Sequence, residues 1–168
     1  MATDEFQDWV GRSQTLDGLI TGNGVDMLSA TFDRDDAPVK DGDAIPPDWY
    51  TLFLRDVCKL ADPGRDGHPR TGDFVPPIPL PRRMWASIEV EFLAPLAPGD
   101  AIERVSSIDS IAEKEGRSGK LAFVTVAHET AANGVAAVRE KQHLVYREAA
   151  APDAPLVCVL PGSRRSEV

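Results

Sequence analysis

The sequence predicts an α+β fold in which short helices precede an antiparallel sheet. Apolar residues recur three and four positions apart only in the first part of the chain, and that spacing is typical of a helix. After Trp85 they alternate with polar residues, which is the period of a half-buried strand. Asn133-Gly134 then separates two alternating segments and predicts a type I′ hairpin, because both residues tolerate positive φ. Helices followed by a meander of strands are typical of the α+β class.

The first part of the chain is predicted to contain one strand and two helices. Gln14 to Ile20 is the strand, and Thr21 is placed to cap a short helix. The apolar face of this helix comprises Val25, Leu28 and Phe32. Residues 33–47 are acidic and contain prolines, which indicates a surface connection. The second helix is predicted from Asp48 to Leu60, and Ala61-Asp62-Pro63-Gly64 ends it.

The second part of the chain begins with a stiff loop, residues 65–81, which we call the proline-rich loop, and it continues as strands. Glycine and proline dominate residues 65–81, and four prolines between Pro76 and Pro81 exclude a helix there. The alternation that follows places Ile88 and Val90 on one face and Trp85 on the other. The predicted strands are Trp85 to Phe92, Ala101 to Ile111, Leu121 to Glu129 and Val135 to Arg147.

Composition restricts the function classes. With 27 acidic and 18 basic residues the formal charge is -9, which argues against a nucleic-acid partner. No apolar run reaches the ~18 residues of a membrane span, and the acidic N-terminus lacks the apolar region of a signal peptide. Cys58 and Cys158 are expected to be free thiols, which favours a reducing, cytoplasmic setting. Three scattered histidines without a second ligand at metal spacing predict no metal site.

Three sequence motifs carry a resemblance to a known family. They are Gly72-Asp73-Phe74-Val75-Pro76-Pro77-Ile78-Pro79-Leu80-Pro81-Arg82-Arg83-Met84-Trp85, Glu113-Lys114-Glu115-Gly116-Arg117-Ser118-Gly119-Lys120 and Val145-Tyr146-Arg147-Glu148. With them the chain resembles the MaoC-like hydratase and dehydratase superfamily, and within it the mesaconyl-CoA (3-methylfumaryl-CoA) hydratase group and the mitochondrial 3-hydroxyacyl-thioester dehydratases. The resemblance implies a hotdog fold, a curled antiparallel sheet around a central helix, here the shortened helix Asp48 to Leu60. It places one hotdog domain at residues 1–148 and a linker-like tail at 149–168.

The resemblance also implies a catalytic pair that this chain lacks. In the family an Asp and a His five positions later grip one water and add it across the 2,3 double bond of an acyl thioester. Five positions before His68, His128 and His143 stand Pro63, Phe123 and Val138. We therefore predict no catalytic residue here. The absence agrees with the N-terminal, non-catalytic half of the two-hotdog members of this family.

Four residues are candidates for substrate contact. Arg82 and Arg83 are expected to hold phosphates of coenzyme A, because a guanidinium group matches phosphate oxygens bidentately, although pairing with a nearby carboxylate is an equal alternative. Trp85 could line an acyl or pantetheine channel, but core or interface packing is the commoner role. His68, on the proline-rich loop, could reach a substrate carboxylate, and an exposed histidine without a function is the alternative.

The resulting hypothesis is a component of an (R)-specific enoyl-CoA or mesaconyl-CoA hydratase. It shapes the CoA-thioester tunnel, while a second hotdog supplies the catalytic Asp and His, so we expect a homodimer or a heteromer and no cofactor besides the coenzyme A of the substrate. One alternative is an acyl-CoA-binding module without catalysis. Another is an acyl-CoA thioesterase, for which Asp48 and Asp56 are the nearest acidic candidates. Fold alone does not choose among these functions.

Overall fold

The structure is a computed structural model that describes residues 4–55, 64, 67–116 and 119–149. Five strands form one antiparallel sheet in the spatial order β1-β3-β4-β5-β2. The strands are β1 (Ser13–Leu19), β2 (Arg82–Phe92), β3 (Ala101–Gly116), β4 (Gly119–Ala132) and β5 (Val135–Arg147). One α-helix, α1 (Gly22–Thr31), and two 3₁₀ helices (Asp4–Trp9 and Trp49–Phe53) accompany the sheet. This arrangement confirms the predicted α+β class.

The strands of the second part follow the predicted pattern closely. Val135–Arg147 has the predicted bounds, and the other three strands extend the predicted ones by several residues. At the β4–β5 hairpin Asn133 has φ 49° and Gly134 has φ 81°, as a type I′ turn requires. Residues 149–168, predicted to be a linker-like tail, lie outside the described residues apart from 149.

The curled sheet has one buried face, which we call the concave face, and one polar face. Positions opposite each other on neighbouring strands share a face, so the row Ile108, Val126 and Gln142 and the row Ile102 and Ala132 both lie on the concave face. The alternate residues along these strands, among them Glu103, Glu129 and Arg139, face away from the core. Two groups of buried apolar residues lie against the concave face, one near each end.

The first core cluster lies beneath α1 and the second 3₁₀ helix. Its buried members are Ile20, Val25, Ile45, Tyr50, Leu54, Leu96, Ile102, Ala137 and Val138. The second core cluster lies at the opposite end, where the first 3₁₀ helix and the proline-rich loop cover the sheet. Its buried members are Phe6, Ile78, Ile108, Ile111, Ala122, Val124, Val126 and Tyr146. The proline-rich loop is therefore part of the core cover.

Helix α1 begins as predicted but buries a different face. Thr21 caps it, accepting a hydrogen bond from the backbone N–H of Gly24 at 3.3 Å. Val25 and Ser29 are buried, whereas Phe32 is 61% exposed. The expectation that Phe32 belongs to the core face is therefore wrong, because the helix ends at Thr31 and Phe32 turns outward to contact the ring of Trp49.

The second predicted helix forms only a short 3₁₀ turn, Trp49–Phe53, and Leu54 ends it. Residues 56–60 of the predicted helix lie outside the described residues. The turn packs so tightly against β1 that a Cβ atom at Gly18 would overlap the backbone carbonyl of Phe53. A helix from Asp48 through Leu54 is thus a wrong prediction, because Asp48 takes a left-handed conformation, φ 69°, and close packing replaces helical propagation.

Strand β2 forms one edge of the sheet and contains an irregularity that reverses one prediction. Trp85 pairs with Leu144 and Ser87 pairs with His143, so one extra residue is inserted between them. The bulge places Trp85 on the concave face, the face of Ile88, whereas strict alternation predicted opposite faces. Beyond β5, β2 has no further strand neighbour in the described chain.

Candidate functional site

A cavity of about 860 Å³ opens at the end of the sheet where β2 begins. The start of β2, the end of β5 and the proline-rich loop form its walls. Ile78 and Leu80 give it an apolar side that continues into the second core cluster. Its size lies within the range of small-molecule and cofactor sites.

Three arginines, Arg70, Arg82 and Arg83, give this cavity its charge. Among the described residues no acidic side chain lines it, although the chain as a whole carries a formal charge of -9. Guanidinium groups offer several N–H donors in a planar fork, which suits phosphate and carboxylate oxygens. The cavity therefore presents a local cationic surface on an acidic protein, and it favours an anionic ligand.

Sheet register and loop contacts position these groups. Arg83 lies directly opposite Tyr146 of β5, and Tyr146, 2% exposed, forms part of the cavity wall. Arg83 also donates from Nη2 to the carbonyl oxygen of Pro69 at 3.4 Å, which links β2 to the loop. On the far side of the loop, Arg12 donates to the carbonyl oxygen of Asp73 at 3.0 Å. Hydrogen bonds from Arg83 and Arg12 thus fix the proline-rich loop at two points.

Of the four predicted contact residues, two line the cavity and two lie outside it. Arg82 and Arg83 line the cavity, as their predicted role requires. His68 is exposed on the neighbouring loop segment, where its carbonyl oxygen accepts from the N–H of Gly64 at 2.7 Å, and it does not line the cavity. Trp85 lies on the concave face beyond the cavity and donates from Nε1 to the carbonyl oxygen of Ser87 at 3.1 Å. Their contacts with a ligand remain predictions.

Most residues that line the cavity were absent from the predicted set, among them Arg70 and Tyr146. Nothing in the local sequence distinguishes Arg70 from any exposed loop arginine, because only the path of the loop brings it beside β2. Tyr146 belongs to the third motif quoted above. Its role would have followed from pairing the start of β2 with the end of β5, a long-range register that sequence periodicity does not specify.

A second polar group lies near the opposite end of the concave face. We call it the polar cradle, and it consists of Tyr50, Arg104, Thr130 and Glu140. Arg104 and Thr130 are direct cross-strand partners, and Glu140 lies one row further along the same face. Tyr50 reaches the group from the second 3₁₀ helix, and it is 1% exposed. In the described chain Arg104 Nε and Thr130 Oγ1 are buried without a hydrogen-bond partner, and the buried Tyr50 hydroxyl and Glu140 carboxyl interact with each other.

Burial raises the pKa of both acidic members of the cradle. It raises the pKa of the Tyr50 phenol far above its usual range, and the nearby Glu140 carboxylate raises it further. Burial also raises the pKa of Glu140, while the hydrogen bond from Tyr50 and the positive charge of Arg104 act in the opposite direction. Arg104 is the one fixed charge of the cradle.

His128 lies beside the cradle in the same row as Glu140. One ring nitrogen, Nδ1, is 2.8 Å from Oγ of the fully buried Ser106. Burial, with a further contribution from the positive charge of Arg104, lowers the pKa of His128 to about 4. The imidazole is therefore neutral at physiological pH, and its hydrogen bond with Ser106 gives it a packing role.

The described ranges contain neither a metal-binding cluster nor a membrane-spanning helix. There, no three His, Cys, Asp or Glu side chains gather in a group that could hold a metal ion. No helix among the described residues is long and apolar enough to cross a membrane. Asp48, a candidate acid for thioesterase chemistry, is exposed at the start of the second 3₁₀ helix, and Asp56 lies outside the described residues.

Comparison with known proteins identifies the family. The family model described as hydroxyacyl-thioester dehydratase type 2 matches residues 50–160. The chain belongs to this family. It is also 34% identical, over 163 residues, to mesaconyl-C(4)-CoA hydratase from Chloroflexus aurantiacus. The match covers 96% of this chain and 58% of that relative, so the chain spans less than two thirds of the relative's length.

Solved structures confirm the hotdog fold of this family member. A chain of the ChsH1-ChsH2 complex from Mycobacterium tuberculosis superimposes with a TM-score of 0.63 at 11% identity, covering 89% of this chain and 95% of that one. The R-hydratase PhaJ1 from Pseudomonas aeruginosa gives a TM-score of 0.54 at 13% identity, with coverage of 89% and 92%. A hot-dog-like protein from Thermanaerovibrio acidaminovorans gives 0.50 at 13% identity, with coverage of 85% and 88%. At these identities the similarity concerns the fold.

Proposed function

We propose that this chain is the non-catalytic hotdog component of an (R)-specific enoyl-CoA or mesaconyl-CoA hydratase. It binds the CoA thioester, while a second hotdog contributes the Asp and His that activate water. The observation that carries the proposal is the arginine-lined cavity at the start of β2. Family membership and the similarity to a mesaconyl-C(4)-CoA hydratase support the substrate class.

The missing catalytic pair supports the division of labour. Hydration of an enoyl thioester needs an acid and a base positioned on one water. No histidine in the sequence follows an Asp by five positions. The relative is longer than this chain, which leaves room in that protein for a second domain. A half that binds substrate and a half that activates water are consistent with both facts.

Strand β2 is the surface that we assign to the second hotdog. Its backbone forms an open sheet edge, and Met84, Trp85, Ile88 and Phe92 along it are exposed apolar side chains. An open edge with apolar side chains favours pairing with another strand. The partner would then lie beside the arginine-lined cavity, because Arg82 and Arg83 begin the same strand. A second copy or a different hotdog subunit could occupy this edge.

An acyl-CoA-binding module without catalysis is the alternative that the same cavity favours. The two functions differ in one measurement, the loss of absorbance at the enoyl-thioester band. We expect the purified chain to bind mesaconyl-C(4)-CoA without hydrating it. Adding a hotdog that carries the Asp and His should restore hydration, and a version of that partner lacking the His is the control.

Two outcomes would contradict the component hypothesis. Binding without any rate increase on addition of the competent partner would leave the binding-module function. Rapid turnover by this chain alone, abolished by His68→Ala, would make the proline-rich loop catalytic. A positioned acid or base contributes about 10²–10⁴-fold, so the two cases are well separated.

A further inference from the structure

Two groups on one face of the sheet favour anionic ligands, and they lie at opposite ends. The cavity arginines include Arg83, which is paired with Tyr146, and the polar cradle includes Glu140 on the same strand as Tyr146. Tyr146 lies six positions after Glu140, which corresponds to about 20 Å along an extended strand. Ile88 and Trp85 lie on the concave face between them and are exposed. An extended ligand could follow this apolar strip from one group to the other.

The polar cradle has unused hydrogen-bonding capacity. In the part of the chain that the structure describes, the Arg104 side chain makes no hydrogen bond or ion pair, and its Nε is buried. The Thr130 hydroxyl, 1% exposed, is also without a partner, whereas the Tyr50 hydroxyl interacts with Glu140. Buried polar groups normally have a partner in protein, water or ligand. Two such atoms on directly opposed residues of β3 and β4 therefore indicate a group that the chain itself does not supply.

The donors and charges of the polar cradle indicate the chemical nature of the missing group. Arg104 Nε donates only, and the Thr130 hydroxyl donates when an acceptor is present. The one fixed charge is the positive guanidinium of Arg104. The nearby acidic groups are Glu140, whose pKa burial raises and which interacts with Tyr50, and Asp48, which is exposed at the surface. His128 is held by Ser106. This set of donors around one cation suits an anionic oxygen group better than a cation or an apolar group.

We infer that the polar cradle binds the free carboxylate of a dicarboxylic acyl group, with Arg104 as its cationic contact and the Thr130 hydroxyl as a neutral donor. The inference rests on the proposed function, because the carboxylate arrives as part of a CoA thioester whose phosphates lie at the arginine-lined cavity. It makes Arg104 a specificity-determining residue. A monothioester of a dicarboxylic acid carries anionic groups at both ends, as the two groups on the concave face require.

The test compares two thioesters that differ in one group. Mesaconyl-C(4)-CoA carries a carboxylate where 3-methylcrotonyl-CoA carries a methyl group. Calorimetry on the full chain, with its second hotdog if a complex forms, should show at least about tenfold tighter binding of mesaconyl-C(4)-CoA, as expected for charge-assisted hydrogen bonds. Arg104→Gln should remove most of this preference while leaving the affinity for 3-methylcrotonyl-CoA within about twofold.

Control variants separate the cradle from general effects. Thr130→Val keeps the shape and removes one hydroxyl, so it should fold and reduce the preference even if Arg104→Gln does not fold. Arg139→Gln on the polar face should leave both affinities unchanged, since the Arg139 side chain pairs at the surface with Glu91 and Glu129. Arg83→Ala should weaken both thioesters by the same factor.

Each remaining outcome is decisive. Equal binding of the two thioesters by the unmodified chain, or a preference that survives both Arg104→Gln and Thr130→Val, would overturn the cradle as a carboxylate site and leave the proposed function intact. Water would then be the group that satisfies its buried atoms. Failure of the unmodified chain and its complex to bind either thioester would overturn the proposed function, and this inference with it.

Discussion

The two ends of the concave face both present arginines, but they place them in opposite environments. Arg82 at the cavity is exposed, and its side chain makes no hydrogen bond or ion pair in the described chain. Arg104 in the polar cradle has its Nε buried among Tyr50, Thr130 and Glu140. A solvated guanidinium costs little free energy of folding, whereas a buried polar group without a partner costs about 1–3 kcal/mol. The cradle is therefore the more unusual of the two sites.

This contrast also separates recognition by charge from recognition by shape. An open cationic cavity attracts any anion, and salt screens it. A buried cradle admits only a group that replaces its missing hydrogen bonds, so it discriminates against ligands that lack that group. The arginine-lined cavity can thus provide affinity for coenzyme A, and the polar cradle can select the acyl group.

The strip between the two ends gives the prediction with the largest effect. Trp85 is 60% exposed on the concave face at the open sheet edge, so we expect it to be a central contact for a second hotdog. Trp85→Ala should weaken association by about 2–4 kcal/mol, which is typical of a tryptophan at the centre of an interface. Sedimentation across a concentration series measures the change.

Val135 provides the matched control for Trp85. It is 65% exposed but lies at the β4–β5 hairpin, away from the β2 edge. Val135→Ala should leave association within about 0.5 kcal/mol of the unmodified chain, as expected for a surface substitution away from an interface. Equal effects of the two substitutions, or a stable monomer of the unmodified chain together with its second hotdog, would exclude β2 as the interface.

The arginine-lined cavity gives the prediction with the next largest effect. Replacing Arg82 or Arg83 with Ala should weaken binding of a CoA thioester by about 1.5–3 kcal/mol, the range of a hydrogen bond to a charged group. Because Arg82 is exposed, its effect should lie at the lower end and shrink as salt is added. Calorimetry at two salt concentrations measures both quantities. Unchanged affinity in both variants would assign these arginines to loop packing, such as the contact of Arg83 with Pro69.

The end of the concave face that carries the polar cradle is packed more tightly than the end with the cavity. This difference predicts an effect on stability. A Cβ atom at Gly18 would overlap the carbonyl of Phe53, so Gly18→Ala should lower the free energy of unfolding by about 1–3 kcal/mol. Gly22 is the control, because a Cβ there would meet Val39 at an ordinary 3.6 Å. Gly22→Ala, in a helix, should be neutral or stabilising. Urea denaturation of both variants makes the comparison, and equal stabilities would mean that the 3₁₀ turn shifts freely.

The sequence predicted the sheet much better than the helices. Alternation and the Asn133-Gly134 turn specify strands locally, so Val135–Arg147 was found to the residue. The helix from Asp48 was wrong because its periodic apolar residues are also compatible with a 3₁₀ turn that tertiary packing selects. The face of Trp85 was wrong because a bulge of one residue shifts the alternation, and the sequence carries no local signal for it.

The candidate site was only partly predictable for a similar reason. Arg82 and Arg83 were predicted because guanidinium groups match the phosphates of the coenzyme A that the family resemblance implies, and both line the cavity. The polar cradle was missed, since its four residues come from the second 3₁₀ helix and from β3, β4 and β5. A buried arginine in an alternating strand resembles a surface arginine until the register places Thr130 opposite it and Glu140 beside it. Long-range register is the information that local patterns lack.

The smallest predicted effect concerns the ionisation of Glu140. Its pKa is raised in the fold, so the protonated carboxyl contributes stability at pH values below the ordinary value of about 4.3. That contribution is lost as the pH rises through the raised pKa, because the ionised carboxylate is buried. Glu140→Gln keeps a neutral side chain at every pH. Its free energy of unfolding should therefore exceed that of the unmodified chain by about 1 kcal/mol near pH 8, and the difference should vanish or reverse near pH 4.

The free energies of unfolding of Glu140→Gln and of the unmodified chain are compared at each pH. This comparison separates the effect of Glu140 from that of His128, which also titrates near the polar cradle. His128, with its pKa lowered to about 4, stabilises the fold above its ordinary pKa and loses this contribution as the pH falls. That term is common to both proteins and cancels in their difference. Glu91→Gln is the control, because Glu91 is exposed and lies 3.5 Å from Arg139 on the polar face. If Glu140→Gln and Glu91→Gln shift stability equally from pH 4 to pH 8, Glu140 is solvated and the two ends of the concave face do not differ in burial of charge.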